Sequence, residues 1–159
     1  IDPETRRLRA VQISQQDLTK RGFSIQRVRL YSRQLAKDEP ARREAERKIK
    51  GKDPAGFVLQ GVLYGKVESI HTARDESGLP AFRVYATPSW PGHSHAEVRL
   101  APGIKSSQYL KLRLQLVDIF GTLQPVNSLP SVPRTWMEKI VHGFDVVVSA
   151  LSRGTATKG

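Results

Sequence analysis

The stretch Ser14–Lys37, SQQDLTKRGFSIQRVRLYSRQLAK, constrains the chain most: it joins a helix boundary, a glycine turn and a spaced set of cations. Ser14 with Asp17 three residues on is a variant of the capping box, in which side-chain oxygens satisfy the first backbone N–H groups of a helix. Gly22 tolerates the left-handed conformation that ends one. A short helix over Gln15–Arg21 follows, and Ser24 can cap a second. From there Ile25, Val28, Tyr31 and Leu35 recur at helical spacing. Gln26, Arg29, Arg33 and Lys37 fall on a different face, so one side packs and the other presents charge. The competing reading makes Phe23–Tyr31 a strand. Ile25 and Val28 would then point to opposite faces, so helix is favoured.

Around this stretch the chain reads as α+β. Glu4–Ile13 is a basic arm or leading helix, in which Arg6, Arg7 and Arg9 can track phosphates. Asp38-Glu39-Pro40 ends one helix and starts another, since Pro suits the first helical position and acids suit a helix N-terminus. Ala41–Lys50 is then a polar helix with a thin apolar edge. Residues 51–56, GKDPAG, form a turn-rich boundary. Beyond it Phe57–Ile70 reads as a long strand that bends or bulges at Gly61 and Gly65. Ala81–Thr87 and Ala96–Leu100 are further strands. Tyr109–Phe120 contains LKLRLQL, with Leu110, Leu112, Leu114 and Leu116 at a period of two, which predicts a fourth strand. Thr135 with Glu138 caps a final helix, with Trp136, Ile140, Phe144, Val147 or Val148, and Leu151 on one face. The expected architecture is a basic N-terminal helical head over residues 4–51. A four-stranded antiparallel sheet or small barrel with a C-terminal packing helix follows over residues 56–152, and the whole may equally be read as one domain.

The run Leu18…Gly22-Phe23-Ser24-Ile25…Leu30 resembles a helix-turn-helix. It has a hydrophobic residue in the first helix, Gly in the turn and apolar anchors in the second. The resemblance covers about 24 of the 159 residues and implies duplex DNA binding, with the second helix in the major groove. It makes Gln26, Arg27 and Arg29 base-reading candidates, and Arg33 and Lys37 phosphate contacts. Arg can bond guanine bidentately, and Gln adenine.

Charge supports the same direction independently. The formal net charge is +11, and residues 1–52 hold 15 Lys/Arg against 7 Asp/Glu, while residues 53–159 hold 11 against 8. A basic third on a nearly balanced remainder points to a polyanionic partner, DNA before RNA. The alternative is a protein–protein adaptor or assembly module, in which the β-rich unit binds a partner and the basic third is an interaction tail. A homodimer through the final helix is the alternative to ordinary core packing there.

No nucleophile elbow, phosphate loop or dinucleotide fingerprint is present, so a non-enzymatic role without cofactor is expected. The chain has no Cys, which removes disulfides and thiolate chemistry and is compatible with a reducing, cytoplasmic compartment. No apolar run reaches the length of a membrane span. His93, His95 and Glu97 share one side of a strand and are weak metal-ligand candidates, since imidazole and carboxylate both suit zinc. Trp90, Phe82 and Tyr85 offer aromatic surfaces to unpaired bases if the sheet is a barrel of the oligonucleotide-binding kind. Beginning at Ile1, the chain reads as a piece of a longer or processed one. Ile1-Asp2-Pro3 is a candidate non-native remnant, and upstream targeting is left open.

Overall fold

The computed structural model describes residues 1–53, 56–87, 94–131 and 145–153 of the chain. Its strands are β1 (Phe23–Arg27), β2 (Phe57–Lys66), β3 (Phe82–Ala86), β4 (His95–Leu100) and β5 (Asp145–Arg153). Its helices are α1 (Arg33–Ile49), α2 (Val67–Thr72) and α3 (Tyr109–Ile119). The strands form one open sheet in the order β2-β5-β1-β4-β3, and every neighbouring pair is antiparallel. The α+β class with an antiparallel sheet is therefore as expected. Among the described residues the strand count is five rather than four, and the sheet has two ends rather than closing as a barrel.

Alternation along the strands assigns the two faces. Val62 and Leu63 are adjacent in β2 and fully buried, yet they belong to different cores. The larger core holds Phe23, Ile25, Leu63, Phe82, Ala96 and Val98 of the sheet. Ile70 of α2 and Leu112, Leu116 and Phe120 from α3 and its end pack on them, together with Leu8, Ile13 and Leu18. The smaller core, on the opposite face, joins Val62 to Val28, Tyr31, Ala36 and Leu129, with Leu35 of α1 packed against it. α3 thus covers one face, and α1 covers the β2 end of the other.

Several local expectations are corrected. Phe23–Arg27 is a strand, not the start of a helix. It is hydrogen-bonded between β4 and β5, so residues 4–51 do not fold as a helical head apart from the sheet. The Ile25, Val28, Tyr31, Leu35 stripe is split between two cores: Ile25 lies in one, the other three in its opposite. The helix expected there begins later, at Arg33, where the Ser32 side chain accepts the Leu35 N–H at 3.3 Å. It then runs through Pro40 rather than ending at it. Tyr109–Ile119 is a helix, not a strand. Leu112 and Leu116 are buried one turn apart, while Leu110 and Leu114 are exposed. Asp145–Arg153 is a strand where the final helix was expected. Its register on β2 runs from Phe57↔Arg153 to Lys66↔Asp145, and residues 132–144 lie outside the described part.

Other expectations hold. Ser14 and Asp17 form a reciprocal cap: the hydroxyl accepts the Asp17 N–H at 3.0 Å and donates to its carboxylate at 2.6 Å. A single wide helical turn, Asp17–Arg21, ends at Gly22. β2 bulges between Leu59 and Gly61, whereas Gly65 stays in regular register opposite Val146. At the bulge the backbone of Val62 exchanges hydrogen bonds of 2.9 and 2.8 Å with Gln124. Gly61 at φ 153° leaves room for that approach, because a Cβ there would collide with the Gln124 carbonyl oxygen. The long strand expected to Ile70 stops at Lys66, where α2 takes over.

Candidate nucleic-acid interface

The expected base-reading set is not assembled. Gln26 is buried on β1, and its side-chain oxygen accepts the Ser94 hydroxyl at 2.7 Å. Arg27 is half-buried in the same strand, its N–H donating to the Ser94 carbonyl at 2.8 Å. Arg29 lies in the short 3-10 turn Val28–Leu30, and its side chain is outside the described residues. Arg33 opens α1, but its guanidinium donates to the carbonyls of Asn127 at 2.9 Å and Leu129 at 3.2 Å. It therefore ties the 126–130 segment to the helix. Only Lys37 of the expected series stands exposed on α1. A ridge of cations four residues apart needs one continuous helix, and the 3-10 turn Val28–Leu30 with the extended Tyr31 and Ser32 separates Arg29 from α1.

The N-terminal arginines sit elsewhere. Arg7 pairs with Asp118 of α3 at 3.0 Å, across the sheet from α1. Arg9 approaches Asp2 at 3.8 Å. Hydrogen bonds from the Thr5 backbone and hydroxyl hold the Asp2 carboxyl below its ordinary value. Arg6 is exposed at φ 56°.

α1 gathers a different group. Beneath it the buried Glu39 accepts the Tyr31 hydroxyl, and it binds the Arg43 guanidinium at 2.7 and 2.9 Å. Arg42 pairs with Glu46 at 2.9 Å. These arginines are occupied within the helix. Lys37 and Lys48 are not: both are exposed, with no ion pair within 4.0 Å among the described residues. Eleven residues apart, they lie on nearly one line of the helix, roughly 16 Å from each other. The exposed Ala41 and Ala45 lie between them, which keeps that surface low. Lys50 and Lys52, just past the helix end, are exposed and likewise without an ion pair among the described residues. Lys48, Lys50 and Lys52 were not among the expected site residues. The signal for them is the run ERKIKGK, whose cations outlast the acids that pair along the helix.

The outer face of β1, β4 and β3 carries a polar strip. Register places Ser24 and Tyr85 opposite Glu97, and Arg83 opposite Arg99. His95 and Glu97 share this side, as expected, but each has other partners. Glu97 holds Arg99 at 2.6 Å. His95 reaches the Thr87 hydroxyl at 2.8 Å through Nδ1 and Ser24 at 3.2 Å through Nε2. His93 and Trp90 lie outside the described residues, among which no group of three ligating side chains is found. Phe82 is core and offers no stacking surface, whereas Tyr85 is 41% exposed with the Arg99 guanidinium 5.7 Å above its ring. No described helix is long and apolar enough to cross a membrane. Comparison with protein-family models, with curated proteins and with solved structures finds no match for the chain.

Proposed function

We propose that the chain binds nucleic acid, duplex DNA first, through its phosphate backbone, along the outer face of α1 and the lysines that follow it. The observation that carries this reading is the set Lys37, Lys48, Lys50 and Lys52: exposed cations without ion pairs among the described residues, in the third of the chain that holds most of the excess charge. Lysines of this kind displace condensed counterions when they meet phosphate, and that release is the main driving force of sequence-independent binding. Phosphate contacts fix position and carry no base information. With Gln26 buried and Arg33 committed to backbone carbonyls, the reading is of sequence-tolerant, non-enzymatic binding.

The test is a binding titration of a short fluorescent duplex of arbitrary sequence at low salt. Charge reversal at Lys37 and Lys48 together is expected to weaken binding at least tenfold without unfolding, since both side chains are exposed. Equal affinity of the double variant and the parent would remove α1 as the interface. A second reading, contact with another protein through the sheet, is supported by the edge at β3 described next.

A further inference from the structure

β3 ends the sheet beside a groove. The chain entering it is covered: the Ala81 N–H donates to the Ala73 carbonyl at 3.0 Å, and Arg74 bridges Pro80. From Phe82 to Ala86 the strand pairs only with β4 among the described residues. A cavity of about 370 Å³ runs alongside, lined by His71, Pro80, Phe82, Arg83, Val84 and Tyr85. Successive strand residues point to opposite faces, so a cavity on one face touches every second residue. This one touches four in a row. It therefore follows the edge itself, where backbone N–H and C=O groups have no strand partner among the described residues.

Charge specifies what suits the edge. Arg83 stands directly across from Arg99, and like charges in that relation repel. Arg99 is neutralised by Glu97 at 2.6 Å. Arg83 is exposed and has no ion pair among the described residues, and the His71 side chain lines the same cavity. On the other face of the strand the lining is apolar, with Val84 and Phe82 beside Pro80.

We propose that the β3 edge accepts an extended acidic peptide as a sixth strand, by main-chain pairing of the β-addition kind. Carboxylates at alternate positions meet Arg83, and small apolar side chains between them meet Val84. Proteins commonly protect exposed edges with charge, and Arg83 does so selectively: it repels basic strands and admits acidic ones. The proposal is independent of the nucleic-acid reading.

The test is a ¹H–¹⁵N titration of the full chain with two blocked pentapeptides, Val-Glu-Val-Glu-Val and Val-Lys-Val-Lys-Val. The acidic peptide is expected to give saturable shifts confined to Phe82–Ala86 and its surroundings, with at least tenfold tighter binding than the basic one. Arg83→Glu is expected to invert that preference while leaving the spectrum elsewhere unchanged. Absence of shifts at Phe82–Ala86, or equal response to both peptides, overturns the proposal. So do shifts of these residues on dilution of the protein alone, which identify a second copy as the occupant. Displacement of the acidic peptide by a short single-stranded DNA with the same shifts assigns the edge to nucleic acid and equally overturns it.

Discussion

Gly22 does two jobs, and they come from different ranges of the chain. It ends the Asp17–Arg21 turn with φ 89°, a conformation that favours glycine. It also lies against β4: a Cβ there would sit 2.7 Å from the Cβ of Glu97, whose carboxylate is already bound by Arg99. The obstacle is both the carboxylate end and the root of that side chain, so swinging the carboxylate away does not clear it. Gly22→Ala is expected to destabilise the protein by about 2 kcal/mol or more, combining backbone strain with a displaced strand contact. Urea denaturation measures it, and a loss under about 0.5 kcal/mol would show that β4 yields easily. The first job was legible from sequence because a helix stop is a local signal. The second was not, because Glu97 reaches Gly22 only through the β1–β4 register.

Elements were legible where their period survived burial. β3 and β4 alternate cleanly, and both formed within a residue of expectation. LKLRLQL alternates as cleanly and is a helix. Its four leucines supply two buried positions a turn apart, Leu112 and Leu116, and two surplus exposed ones, Leu110 and Leu114. Period two and period 3.6 share the i, i+4 spacing, so the surplus leucines tipped the reading to strand. The two assignments differ measurably. A strand with one apolar face makes the four leucines equivalent. In α3, Leu112→Ala or Leu116→Ala is expected to cost about 2–5 kcal/mol, and Leu114→Ala less than about 1. Similar losses at Leu112 and Leu114 would contradict the helix. β1 failed for another reason. A five-residue strand followed by a 3-10 turn spaces Ile25, Val28 and Tyr31 like a helix, although the sheet separates Ile25 from the other two. For β5 the branched run Val146-Val147-Val148 was a strand signal. It was outweighed by an apparent helical stripe that continued from residues outside the described part.

At the scale of the whole molecule, the sheet sorts the charge. α3 and the N-terminal arginines lie to one side, with Arg7 tied to Asp118. α1 and its trailing lysines lie to the other, away from those arginines. The basic excess was therefore legible as a quantity but not as a surface. Composition counts cations without showing which are spent on Glu39, Glu46 or backbone carbonyls. The lysines left over define the proposed interface, and their contribution is electrostatic. It should weaken steadily as salt screens it, with log K falling by about 0.9 for each phosphate neutralised per unit of log salt. The most direct measurement is that slope for a short duplex, compared between the parent and the Lys37→Ala, Lys48→Ala double variant. If each lysine meets one phosphate, the double variant's slope is shallower by about 1.8. A slope unchanged by the two substitutions, or a parent that binds no duplex even at low salt, would contradict the account.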